Sequence, residues 1–298
     1  MNVYSGLGWI PSGKASEKLI EGCLVLEGGA FRGLYTQGFL DAMMENDLNL
    51  SAVIGVSAGA LGGANYVSGQ IGRSARINLA YRHDGRYVGA RALMKSGSIL
   101  DVSFLTEDRG IFEPLDAEAF FRPERRFVAV ATNCLTGKPT YFEKGKCGDI
   151  LNATRASGTM PYISPPVTLD GVPYFDGGCS CKIPYRWAIA QRYEKIVVIR
   201  TRGASFRQPD TRSSLPFRVY KKYPAFAEVL SRDNLDYNRQ CAEVNSLNRK
   251  GRLLCFCPSR EMKIDPIERD MEKLGKLYWL GYKDCSENLD RLKEYLFS

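Results

Sequence analysis

The sequence predicts an α/β fold: a mostly parallel central sheet flanked by helices, with a largely helical C-terminal extension. Three observations predict it. Short apolar runs suited to buried strands alternate with helix-like segments as far as residue 203, the pattern that puts helices on both faces of a parallel sheet. Two strand-to-helix junctions are rich in glycine, at Gly28-Gly29-Ala30-Phe31-Arg32-Gly33 and at Gly55-Val56-Ser57-Ala58-Gly59. The chain has 298 residues, 44% of them hydrophobic, enough for one large domain with an appendage.

Taken in order, residues 23–27 read as a short buried strand, 33–46 as helix, 52–56 as strand and 58–68 as helix. Residues 71–122 are irregular and amphipathic and suit a lid over a site. Arg126 to Thr132 is a further strand, with Lys138 to Phe142 as its hairpin partner. Helix is expected over Asp149 to Ser157, strand over 172–175, helix over Ile183 to Tyr193 and strand over Lys195 to Thr201. This defines a first unit, 1–203. Beyond it, 204–298 reads as an extension packed on the same domain: loop to about 224, helix over 225–250 and 266–296, and a strand at Leu253 to Cys257 between them. Asp265-Pro266 reads as a helix cap with proline in the first turn. Gly275 and Trp279 are expected to pack that last helical segment on the core.

The stretch VIGVSAGAL, residues 53–61, places Ser57 between Gly55 and Gly59, where apolar strand residues meet small helix-tolerant ones. A nucleophilic serine needs such a sharp strand-to-helix bend, and a side chain at either flanking glycine would collide with neighbouring backbone. The helix that follows directs its N-terminal N–H groups at charge developing near the hydroxyl. The bland alternative is a turn whose glycines only let helix and strand pack closely.

The usual proton acceptor is excluded by chain order. The sole histidine is His83, after Ser57 and with no acid between them, which rules out Ser-Asp-His order; nor does any histidine precede Ser57. His83-Asp84 reads as a polar loop. The loop of Gly28, Gly29, Ala30 and Arg32 exposes backbone N–H groups, as an anion cradle or oxyanion hole does. A dinucleotide fingerprint would need glycine at Ala30, and Glu27 would repel a pyrophosphate. The Gly-Lys-Ser/Thr ending of a phosphate-binding P-loop is missing. Asp176, ending an apolar strand before Gly177 and Gly178, stands either in a plain turn or where open α/β sheets place their chemistry.

GGAFRG, GVSAG and DGG, in that order, resemble the patatin-like phospholipase family. Residues 156–166, ASGTMPYISPP, resemble the family's Ser-and-Pro block, and the spacing from Asp176 to Pro184 is also similar. The likeness covers roughly residues 20 to 203. It implies a three-layer sandwich and a lipid acyl hydrolase with Ser57 as nucleophile and Asp176 as proton acceptor. The loop of Gly28, Gly29, Ala30 and Arg32 would then be the oxyanion site, and Gly33, Gly55, Gly59, Gly177 and Gly178 motif glycines. Ala30 stands where many members carry a third glycine. A lipid or acyl-ester substrate is implied, and no cofactor. A carboxylesterase, a thioesterase and a non-catalytic lipid-binding regulator of the same fold are the alternatives.

The net charge is +8, and Arg200 to Lys222 holds seven basic residues against one acid, Asp210, with Phe206, Phe217, Tyr220 and Tyr223 interleaved. That composition suits peripheral contact with an anionic membrane surface; nucleic acid is disfavoured because no recognised module accompanies it. No run of about 18 apolar residues predicts a transmembrane helix, and the N-terminus lacks the apolar core of a secretory signal. The nine cysteines form no framework, so the expected location is cytoplasmic, at most peripheral on the inner membrane surface. The pairs Cys179/Cys181 and Cys255/Cys257 lack the companions a zinc site needs, so no metal is expected. Cys179 and Cys181 follow the DGG closely enough that oxidation there would disturb it.

Overall fold

The computed structural model describes residues 3–89, 91, 92, 94, 101 and 113–298. Its strands are β1 (Gly13–Lys14), β2 (Ile20–Leu26), β3 (Leu50–Val56), β4 (Gln70–Ile71), β5 (Arg126–Asn133), β6 (Pro139–Glu143), β7 (Val167–Leu169), β8 (Val172–Asp176), β9 (Ile196–Ile199) and β10 (Leu254–Phe256). The longer helices are α1 (Gly33–Glu45), α2 (Ala58–Val67), α3 (Arg73–Tyr81), then α4 (Ala117–Phe121) and α5 (Ile150–Ser157), and α6 (Tyr185–Ala190). The C-terminal part supplies α7 (Leu215–Val219), α8 (Pro224–Ser231), α9 (Asp233–Arg249), α10 (Met271–Ser286) and α11 (Leu289–Phe297).

Eight of these strands form one sheet in the order β10-β9-β2-β3-β5-β8-β7, with β6 also paired to β5. The run from β10 to β5 is parallel, and β6, β8 and β7 are antiparallel additions. The strands read as unbroken apolar runs because both faces are buried. Leu24, Leu26, Val53, Phe127, Val197 and Ile199 face one core, with α1, α2 and α10. Cys23, Val25, Ile54, Val128, Ile196 and Val198 face the other, with α6 and α9. This alternation follows from the two-residue period of a strand, and it makes a three-layer sandwich.

The C-terminal extension is built into this body. Its strand β10 pairs in parallel with β9, and α10 crosses α1 with backbones in contact. A methyl group on Gly38 would fall 2.0 Å from the Tyr278 carbonyl, and one on Gly281 would fall 1.9 Å from that of Tyr35. Trp279 is half-buried beside that core, and Gly275 is packed against the Tyr4 ring.

Some expectations are corrected. The helix expected over 225–250 is two, α8 and α9, broken at Arg232. The segment 266–296 likewise divides into α10 and α11, and Asp265-Pro266 is a turn closed by Glu268 N–H on the Asp265 carbonyl. The cap of α10 is Asp270, whose side chain accepts from Lys273 N–H. Ile183 to Tyr193 yields only the short α6, and α3 is a regular helix where irregular chain was expected. Of the rest of the expected lid, residues 90, 93, 95–100 and 102–112 lie outside the described residues, and its end carries the short α4.

Candidate active site

The register of β5 brings the two predicted residues together. On one side β5 pairs with β6 throughout residues 128–132. On its other side Val56, the last residue of β3, lies opposite Val130, and Asp176, the last of β8, lies opposite the next residue, Ala131. Two strands thus arrive from opposite directions along one edge of β5, and their C-terminal ends meet. Ser57 leaves one end and Asp176 occupies the other. The junction is tight enough that a methyl group on Gly177 would fall 2.1 Å from the Val130 carbonyl oxygen.

Ser57 has φ 55° and ψ −125°, a conformation that costs a non-glycine residue about 1–3 kcal/mol and persists only where surroundings enforce it. Here the enforcement is visible. Gly55 and Gly59 touch across the bend, a methyl group on Gly55 lying 2.5 Å from the Gly59 backbone. The Ser57 N–H donates to the Ser157 hydroxyl at 2.8 Å, and the Ser57 carbonyl accepts from Ala60 and Leu61 as α2 begins. Ser157 lies at the end of α5, fully buried. The sequence reading gave it no role of its own, although it lies within the ASGTMPYISPP block.

Asp176 is buried, and burial pushes its carboxyl up to about 6, against the opposing pull of the Ser57 side chain, the Gly178 N–H and the Lys182 charge. Gly178 N–H donates to Oδ1 at 2.7 Å. The Asp176 backbone is fixed from both sides: its N–H donates to the Thr159 carbonyl at 2.8 Å, and its carbonyl accepts from the Thr132 hydroxyl at 2.8 Å. Lys182 is ion-paired to Asp233 and also donates to the Gly178 carbonyl at 3.1 Å.

The glycine loop lies directly beside the serine: a methyl group on Gly28 would come 3.1 Å from Ser57 Cβ. Gly33 packs in the same way on Ala58, and Gly29 on Thr201. The loop is held from behind by buried Glu27, whose carboxylate accepts from Thr201 N–H at 2.5 Å, while the Thr201 hydroxyl donates to the Gly28 carbonyl. Of the four residues expected to bind an oxyanion, Gly28 already donates its N–H to the Lys182 carbonyl at 3.4 Å, and Arg32 donates its own to Gly29 at 3.0 Å. Gly29 and Ala30 are left with N–H groups that meet no acceptor among the described residues. Ala30 sits at φ 49°, a left-handed conformation that alanine tolerates at modest cost. The buried Nε of Arg32 has no hydrogen-bond partner among the described residues.

Ser57 opens on two cavities. One, of about 320 Å³, is lined by Gly29, Ala30, Arg32, Asp176 and Lys182 among others. The other is narrow and largely apolar, with Phe31, Leu61, Tyr87 and Met160 around it. His83 lines neither; its Nε2 lies 2.9 Å from the Arg269 carbonyl. Cys179 lines the larger cavity, but burial pushes its thiol well above the ordinary value, which keeps it protonated and slow to oxidise. Carboxylate, hydroxyl and uncommitted amides around one open space are the parts that acyl transfer uses.

A domain of unknown function (DUF6363) matches residues 223–297. YjjU of Escherichia coli, an uncharacterised protein, is 31% identical over 183 residues, which is 60% of this chain and 51% of that one. Lysophospholipase nte1 of Aspergillus terreus is 24% identical over 91% of this chain and 18% of its own length. The chain therefore spans about half or less of these relatives. Among solved structures, VipD from Legionella pneumophila aligns with a TM-score of 0.49 and 16% identity, over 94% of this chain and 68% of that one. The family model for patatin-like phospholipases matches residues 24–189, which include the glycine loop, Ser57 and Asp176, and the chain belongs to that family of lipid hydrolases.

Proposed function

We propose that the chain is a serine acyl hydrolase, a phospholipase A or lipid acyl esterase, that works with a Ser57–Asp176 dyad. The observation that carries this reading is the meeting of two strand ends on β5, which brings Ser57 and Asp176 together without a histidine. Ser57 Oγ attacks the acyl carbon and its proton passes to the Asp176 carboxylate. The carbonyl oxygen takes up the negative charge and is met by the free N–H groups of Gly29 and Ala30, with the Arg32 charge nearby. Collapse expels the alcohol, which takes the proton from Asp176. Water then attacks the acyl-enzyme, giving a proton to the same carboxylate, and as the acid leaves that proton passes to the departing Ser57 Oγ, restoring both groups.

The magnitudes suit a dyad. A carboxylate at its ordinary pKa is a weak base toward an alcohol, and burial that lifts Asp176 to about 6 improves it while leaving it ionised at neutral pH. General-base help is typically worth ~10²–10⁴-fold and a single oxyanion donor ~10²–10³-fold. No cofactor enters this cycle. The basic, aromatic segment between Arg200 and Lys222 supports peripheral contact with an anionic lipid surface, and the nine cysteines without a framework support a cytoplasmic location. The test is turnover of a panel of phospholipids, lysophospholipids, acyl thioesters and p-nitrophenyl esters by the native chain and by Ser57→Ala. Hydrolysis lost in the variant supports the assignment, and the panel separates lipase from thioesterase. Equal turnover by both, or none by the native chain on any member, rejects it.

A further inference from the structure

We infer that α7 and the turn after it form a docking surface for an anionic lipid bilayer, built over the strand that ends in Asp176. This gives a specific location to the membrane contact proposed above, and its test does not depend on catalysis. The short helix Leu215-Pro216-Phe217-Arg218-Val219 turns Pro216 inward and leaves Leu215, Phe217 and Val219 at 50%, 46% and 50% exposure. Scattered exposed apolar residues are ordinary, but here Leu215 and Val219, four residues apart, share one side of the helix and Phe217 flanks Arg218 on the other, so all three stand clear of the buried Pro216 side. Tyr162, 48% exposed, extends it: its ring lies 5.3 Å from that of Tyr220, and its N–H donates to the Tyr220 hydroxyl.

Charge selects the occupant. Arg218, on the helix, and Lys221 and Lys222, in the turn after it, are all exposed. Among the described residues Arg218, Lys221 and Lys222 have no carboxylate partner, whereas Arg212 is tied to Glu228. The only acid in the segment, Asp210, is engaged by the Asn238 side chain at 2.8 Å. Unpaired cations ringing exposed aliphatic and aromatic side chains match an anionic headgroup layer above hydrocarbon.

The surface is fixed to the candidate site. The Tyr220 ring packs edge-on against Phe175 and Phe226, with centroids 5.5 and 5.0 Å away, and Phe226 stacks on Phe175. Phe175 is the residue before Asp176. Met160 and Pro161, which lead to Tyr162, and Leu230, at the end of α8, line the 320 Å³ cavity. A bilayer held by this patch therefore lies beside the opening through which an acyl chain would enter.

The test is sedimentation of the full chain with vesicles of phosphatidylcholine alone and of phosphatidylcholine mixed with phosphatidylglycerol. The native chain should partition onto the anionic vesicles, weakly onto neutral ones, and less as salt rises. Each basic residue near such a surface is worth about fivefold, so Arg218→Gln, Lys221→Gln and Lys222→Gln combined should lower partitioning on the order of a hundredfold. Phe217→Ser with Val219→Ser should weaken binding to both vesicle types while circular dichroism and cleavage of a soluble p-nitrophenyl ester stay unchanged. Unchanged partitioning in either set overturns the inference. So does native binding that ignores lipid charge, or a native dimer that the same substitutions dissociate, which would identify the patch as a contact between copies.

Discussion

Replacing Asp176 by asparagine removes a base while keeping an acceptor, so it separates chemistry from architecture. The Gly178 N–H now reaches Oδ1 at 2.7 Å, and the asparagine carbonyl oxygen preserves that bond. The Thr159 and Thr132 bonds hold backbone atoms and are indifferent to the change. Burial lifts the carboxyl from its ordinary 3.8 to about 6. Two pKa units correspond to ~3 kcal/mol between the protonated and ionised forms. Because the folded value lies above the unfolded one, the contribution is fully present below the unfolded pKa and is lost as pH rises through about 6. The asparagine side chain never ionises and does not suffer this loss. The variant should therefore be more stable than the native chain by up to ~3 kcal/mol near pH 8, and by much less below pH ~4. Its kcat on a p-nitrophenyl ester should fall ~10²–10⁴-fold, and the native rise of kcat/KM through pH about 6 should vanish from what remains. Urea unfolding at the two pH values and a pH–rate profile measure both. Undiminished activity, or a variant less stable than the native chain near pH ~8, would refute the argument.

Three further outcomes follow from the packing. Ser157→Ala leaves the buried Ser57 N–H without its acceptor, which should cost about 1–3 kcal/mol in urea unfolding and slow ester cleavage as the strained bend relaxes. Gly177→Ala drives a methyl group into the Val130 carbonyl; the strand ends must part, so a stability loss of ~3 kcal/mol or more should accompany loss of activity. Asp41, buried where Gly72 N–H and the Tyr278 hydroxyl donate to it, has its pKa pushed up by burial to about 7. Its contribution is present below the unfolded value and lost as pH rises through about 7, so the native Tm should fall across that range and Asp41→Asn should flatten the fall.

The elements were legible where burial acts on consecutive residues. Strands β2, β3, β5 and β9 announce themselves as apolar runs because helices cover both faces. The hairpin of β5 and β6 is local and was also readable. What no local pattern carries is the pairing of β5 with β3 and β8 along one edge, since that register joins residues far apart in sequence. The glycine loop was legible as exposed backbone, but which amides stay free depends on where the Lys182 carbonyl falls after folding. Ser157 escaped because a serine near a helix end has many ordinary roles, and only the fold aims it at Ser57. The break at Arg232 and the later start of α10 at Met271 were missed for a simpler reason: helix-compatible residues run through Arg232 and follow Pro266 at once, and tertiary packing decides where a helix stops or begins.

Nucleophilic attack by Ser57, activated by its neighbour across the strand junction, is the step on which the proposed hydrolysis depends. Incubation of the native chain with a fluorophosphonate, followed by digestion and mass spectrometry, should give one covalent adduct, on Ser57. The adduct should be absent from Ser57→Ala and form far more slowly in Asp176→Asn. A native chain that hydrolyses esters while its adduct maps to another residue, or a Ser57→Ala chain that labels as fast as the native one, would contradict the account.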